Sequence, residues 1–145
     1  MTAILNVNPV PAAGTYVSPL WQLREPAGSQ PVIEAQANFV FGSGAATTLN
    51  AYLQTSFDGG VNWCDVVSFT QFTTSSARVG ASVIQGAVAP VALTDGTLAA
   101  GSANALFAPW WRAKYVIVGT YSASTLRVDA FANVGIVPAG VNAFN

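Results

Sequence analysis

Few side chains in this sequence could carry proton transfer, nucleophilic attack or metal binding. There are six carboxylates (Glu25, Glu34, Asp58, Asp65, Asp95, Asp129), five cations (Arg24, Arg78, Arg112, Lys114, Arg127) and one thiol, Cys64. The absence of histidine removes the Ser-His-Asp and Cys-His systems and every zinc site that needs imidazole. A lone cysteine gives no intrachain disulfide and no thiolate cluster. Cys64 has no basic neighbour in sequence to lower its pKa, so it reads as a small residue in or beside a strand. Acid–base catalysis needs two positioned carboxylates, or one with a tuned partner. Here Asp58 and Asp95 fall in turns, and Glu34 and Asp129 fall on outward strand positions. No local pair stands out. Asp65 shares a strand face with Trp63 and is expected partly buried, bonded to a turn or an arginine. Arg127 and Asp129, two apart on one strand face, read as solvated surface. Gly42-x-Gly44 lacks the third glycine and the helix of a phosphate loop, and no Asp-rich calcium loop is present. The expectation is a protein that is not an enzyme, with no catalytic residue, cofactor or metal.

The aromatic residues are the other candidates. Trp110-Trp111 follows Pro109 at the entry to a strand, and adjacent strand residues face opposite sides, so only one can enter the core. The other must be covered by a loop, a ligand or another subunit. Aromatics anchor interfaces, and depletion of charge marks interface cores. Trp21, Trp110 and Trp111 are therefore the candidate interface residues.

The elements that would position these groups follow from composition and period. Of 145 residues, 52% are hydrophobic and 8% charged, against roughly a quarter charged in an ordinary soluble domain. Area scaling predicts a folded surface of about 7,000 Å², enough burial for a core without disulfide or metal staples. A net charge of −1 with scattered cations gives no nucleic-acid footprint. The uncharged first 23 residues are broken by Pro9, Pro11, Gly14 and Pro19 and lack the basic start of a signal peptide. The charge-free stretch Ala35 to Phe57 alternates polar and apolar residues, unlike a membrane helix. No membrane association is expected.

Period-two alternation marks strands at Ile33–Phe39, Leu49–Phe57 and Thr125–Val134, and richness in β-branched and aromatic residues marks another at Arg112–Tyr121. Asp58-Gly59-Gly60 is a hairpin signal returning along Val61–Phe72, and Gly119–Ser124 reads as a second hairpin. Shorter strands are expected at Tyr16–Arg24, Ala81–Gln85 and Val91–Leu93. The fold class is all-β: a single antiparallel, jelly-roll-like β-sandwich of about 8 strands. Residues 1–19 read as an extended N-terminal arm, 20–137 as the sandwich and 138–145 as a C-terminal tail.

Ser56-Phe57-Asp58-Gly59-Gly60-Val61-Asn62-Trp63 resembles the Asp-box of sialidases and other β-proteins, Ser-x-Asp-x-Gly-x-Thr-Trp. Ser56, Asp58, Gly60 and Trp63 match, and Asn62 replaces the usual Thr. The resemblance implies a structural hairpin brace, with the Asp bonding turn amides and the Trp packed beneath, and no sialidase activity. On a larger scale, Leu49 to Val134 is similar to small β-sandwich proteins of tailed bacteriophages, among them capsid decoration (cement) proteins. The features shared are the Asp-Gly-Gly hairpin ending in Trp63, the small-residue middle, and the Arg-x-x-Tyr-x-x-x-Gly-Thr strand from Arg112 to Thr120. That similarity implies a virion structural protein on the capsid outer surface, binding the major capsid protein and itself as a homodimer or homotrimer. A carbohydrate-binding module and a head-fibre or tail protein are the alternatives.

Overall fold

The computed structural model describes residues 1–24 and 30–140. The strands in order are β1 (Thr2–Val7), β2 (Gly14–Val17), β3 (Trp21–Leu23), β4 (Val32–Val40), β5 (Thr48–Ser56), β6 (Cys64–Ser68), β7 (Ala77–Ile84), β8 (Ser102–Ala103), β9 (Trp110–Val118), β10 (Thr125–Ala132) and β11 (Ile136–Pro138). They form two antiparallel sheets packed face to face. One runs β1-β10-β4-β7; the other runs β11-β3-β9-β5-β6-β8, with β2 also paired to β9. The protein is an all-β sandwich, with 11 strands among the described residues where about 8 were expected.

Alternation drives each central strand to bury its inner face, and β5 is covered on its outer face as well from Tyr52 to Ser56. Ile33, Ala35, Ala37 and Phe39 of β4 and Leu126, Val128, Ala130 and Ala132 of β10 line one wall. Leu49, Ala51 and Leu53 of β5 and Trp111, Ala113, Tyr115 and Ile117 of β9 line the other. Phe39 sits between Phe72 and Tyr121, each ring centroid 5.2 Å away. The accessible surface is 6962 Å², close to the value that chain mass predicts.

Several expectations change. Residues 1–19 are not an arm: β1 pairs with β10 in one sheet and β2 with β9 in the other, and Ile4, Leu5 and Val10 are buried. Pro9 and Pro11, two of the prolines that suggested an arm, lie in the β1–β2 connection that carries the chain between sheets. Tyr16–Arg24 splits into β2 and β3 around Pro19, which has no N–H to give a ladder, and the two pieces pair with successive halves of β9. Val91–Leu93 is loop, not strand. Gly119–Ser124 is not a hairpin, because β9 and β10 belong to different sheets. It crosses beside the β4–β5 connection, where Ser43 and Ser122 bond backbone to backbone. Gly42 permits that approach: a Cβ there would overlap the carbonyls of Ser122 and Ala123. Of the expected tail, Pro138 ends β11, and residues 141–145, like Glu25, lie outside the described residues.

The sheet edges differ in kind. β8 has two residues and β11 three. β1 is interrupted by a register shift between Ala3 and Leu5. β7 has eight residues in unbroken register with β4, from Val32–Ile84 to Phe39–Ala77.

Candidate functional site

The chemistry-bearing side chains gather on the outer face of the sheet that contains β5 and β9. Gln54 of β5 is opposite Arg112 of β9 and Asp65 of β6. It is buried, and its amide is fully used: Nε2 donates to Asp65 Oδ1 (2.8 Å) and Asp95 Oδ1 (2.7 Å), while Oε1 accepts from Arg112 Nε (2.8 Å). Lys114 donates to Asp95 Oδ1 at 2.7 Å, and the Arg112 guanidinium is 3.8 Å from Asp95 Oδ2. Partial burial works against the charge on Asp95. The Lys114 and Gln54 hydrogen bonds and the charges of Lys114 and Arg112 outweigh it and hold this carboxyl below its ordinary pKa.

Asp65 holds a loop. Its carboxylate accepts from the backbone N–H of Gly96 (2.9 Å), Thr97 (3.0 Å) and Leu98 (3.0 Å), and its own N–H donates to Thr94 O (2.8 Å). The connection from Gln85 to Gly101 is long and mostly exposed, and this buried carboxylate is its main anchor to the sheet. Asp65 was expected to be partly buried and bonded to a turn or an arginine; it is buried and bonded to a turn. With both oxygens saturated by protein donors, it has the hydrogen bonding of a brace, not of a proton carrier. Beside it, burial and then the charges of Asp65 and Asp95 push the Cys64 thiol up. The same two influences, burial and then Asp65, raise the phenol of Tyr52.

The hairpin at 56–63 has the bonding its motif implies. Ser56 Oγ donates to Asp58 Oδ1 (2.8 Å) and accepts from Gly60 N–H (2.9 Å). Asp58 Oδ1 accepts from the N–H groups of Val61 (3.2 Å) and Asn62 (2.8 Å), and Oδ2 from Asn62 Nδ2 (2.6 Å). Asn62, the departure from the motif, thus adds a side-chain bond. The Asn62 backbone and side-chain donors, followed by Ser56, lower Asp58 to a pKa of about 2. Gly60, at φ +93°, closes the turn, and Trp63 Nε1 donates to Gly60 O at 3.0 Å. The Arg112 guanidinium lies 4.4 Å from the Trp63 ring centroid.

Hairpin and loop enclose an open groove of about 500 Å³ lined by Asp58, Val61, Asn62, Trp63, Leu93 and Asp95. Its rim is apolar: Val61 is 78% exposed and Leu93 54%, and Phe57, on the same hairpin, is 54% exposed.

The tryptophans separate. Trp111 is wholly buried, with Nε1 donating to Ala108 O (2.7 Å) and the Phe107 ring edge-on at 5.1 Å. It is core and leaves the candidate interface, because strand parity turns it inward between the two sheets. Trp110, opposite Ser56, faces outward and is half-buried. Trp21 packs against the core from β3. Asp129 is not solvated surface: Arg127 Nε (2.8 Å) and Gln36 Nε2 (3.2 Å) cover it, leaving it 3% exposed.

Sequence reasoning missed the grouping of Gln54, Asp95, Arg112 and Lys114. The signal available was parity, which puts Gln54, Arg112 and Lys114 on outward positions. The register that joins them is set by pairing between strands more than 50 residues apart. Among the described residues, no group of three His, Cys, Asp or Glu is placed to hold a metal ion. No protein-family model, curated protein or solved structure matches the chain.

Proposed function

We propose that this protein is a non-catalytic virion component that binds the outside of a tailed-phage capsid and bridges neighbouring major capsid subunits by surface burial. One observation carries the reading: Phe57, Val61 and Leu93 are held out to solvent on two segments fixed from below by Asp58 and Asp65. Apolar side chains on braced turns lose little conformational freedom when covered, so more of the burial energy remains for binding. A rim of this kind marks a surface for a protein partner. The paired charges beneath it support the same reading, since Asp95, Arg112 and Lys114 largely neutralise one another. Sugar recognition would instead call for an open aromatic platform. Trp63 has Arg112 over its ring, and Trp111 lies in the core.

The test is to add purified protein to expanded, undecorated capsids and measure co-sedimentation and capsid melting. Saturable binding with a raised melting temperature is expected, and Val61→Ser with Leu93→Ser should weaken it at least tenfold. Absence of binding at saturating concentration would remove the decoration reading. Binding to fibres or tails alone would move the protein to another place on the virion.

A further inference from the structure

We infer that β7 is the seat of a two-fold homodimer in which the β7 strands of two copies pair antiparallel about Gly80, joining two four-stranded sheets into one. This inference does not depend on the capsid reading. Gln85 N–H donates to Pro31 O at 2.9 Å, which fixes the odd-numbered residues of β7 as those bonded to β4. Antiparallel residues turn both backbone groups to the same side. The N–H and C=O groups of Arg78, Gly80, Ser82 and Ile84 therefore point away from the sheet, and all four residues are exposed. Natural sheets blunt such edges by shortness, bulges, proline or charge. β8, β11 and β1 show the first two devices; β7 has eight regular residues, no proline and a single charge.

Charge chooses the occupant and the register. On the outer face of this sheet Arg127 and Asp129 pair with each other. Arg78 and Glu34 are both exposed and make no ion pair among the described residues, being opposite Asn38 and Ser82 respectively. With a two-fold axis at Gly80, Arg78 of one copy faces Ser82 of the second, with that copy's Glu34 directly behind Ser82. Two strand spacings put the two Cα atoms about 10 Å apart, within the joint reach of an arginine and a glutamate. The short Ser82 side chain leaves the path open. The symmetry makes this ion pair twice. Moving the axis to Ala81 would set Arg78 against Ile84, and moving it to Arg78 would oppose like charges. Gly80 suits the axis, since the two residues brought face to face there carry no side chains. On the inner side, a cleft of about 130 Å³ lies beside β7, lined by Val79, Ala81, Val67 and Phe69 among others. The second copy's Val79 and Ala81 would cap it.

Sedimentation equilibrium and light scattering of the full chain test this directly. The expected mass is twice the 14.9 kDa of one chain. Ser82→Pro deletes an outward N–H that β4 does not use, so it should give a folded monomer with an unchanged β-sheet circular dichroism spectrum. Arg78→Glu and Glu34→Arg should each raise the dissociation constant at least tenfold, and the double exchange should restore it. A monomer or trimer at 100 μM (about the top of a working range for such weak edges) overturns the proposal. So does a dimer indifferent to Ser82→Pro, or a charge exchange that fails to rescue.

Discussion

Arg112 sits over Trp63, its guanidinium carbon 4.4 Å from the ring centroid, and its Nε donates to Gln54 at 2.8 Å. One side chain on β9 thus links the hairpin at 56–63 with the loop that Asp65 and Asp95 tie down. Cation–π contacts contribute about 0.5–2 kcal/mol as desolvation increases, and a hydrogen bond to a charged group about 1.5–3 kcal/mol. Arg112→Ala is expected to destabilise the protein by about 2–4 kcal/mol in urea denaturation. Arg112→Lys keeps the charge but loses the Nε bond to Gln54 and the guanidinium over Trp63, and should recover only part. Equal stability of the lysine variant and the parent would show that charge alone matters.

Asp65→Ala should be worse, because it leaves the amides of Gly96, Thr97 and Leu98 without their acceptor. An orphaned polar group costs about 1–3 kcal/mol when buried, and these three amides are part-buried, so a combined loss of about 3 kcal/mol is expected. Hydrogen exchange should locate it: protection at 96–98 falls first, while Phe39 and Val128 in the central strands keep theirs to the extent that global stability allows. Unchanged protection at 96–98 would show that the loop is held by something else.

Asp58 sets a pH dependence with a definite sign. Its folded pKa of about 2 lies below the ordinary value, so the unfolded chain takes up the proton first as pH falls. The hairpin's contribution is complete above the unfolded carboxylate range, near pH 4, and drains away as pH drops towards 2. Carboxyl NMR titration should show Asp58 still ionised at pH 3. Asp58→Asn should flatten stability between pH 4 and 2; a midpoint near 4 for the parent contradicts the bonding described.

The adjacent tryptophans should behave as opposites. Trp111 fills the core, and large-to-small changes at such sites cost about 3–5 kcal/mol. Trp111→Ala is expected in that range by chemical denaturation. Trp110→Ala should stay within about 1 kcal/mol, as for surface positions outside special features. Similar losses at both sites would mean that the outward ring is also structural.

Cys64 is buried with its thiol pushed upward, by burial first and then by the nearby carboxylates. Native protein should resist aromatic disulfide reagents at pH 8, and unfolded protein should react at the rate of a free thiol. Prompt labelling of native protein would require β6 to open readily.

What the sequence disclosed was parity; what it concealed was pairing. Leu49 to Phe57 announced a strand because its polar and apolar residues alternate, although Tyr52, Gln54 and Ser56 on its outer face are buried too, and Ser56 to Trp63 announced a turn because local bonds build it. Asp129 misled by the same rule: its outward position is real, but Gln36 from β4 arrives to cover it. The N-terminal residues misled because prolines mark breaks equally well in an arm and in a crossover. Asp65, Asp95 and Arg112 come together only through three separate strand and loop placements, which no local pattern encodes.

The irregular register at Ile4 has a consequence for assembly size. A sheet with two equally receptive margins would add copies without end, and the product would be a filament. Here β1 is skewed between Ala3 and Leu5, which leaves that margin a poor template for another strand. Growth that begins along β7 consumes the receptive margin of both molecules at once. In the dimer inferred above, the displaced residue near the N-terminus would act as a terminator, keeping strand pairing finite.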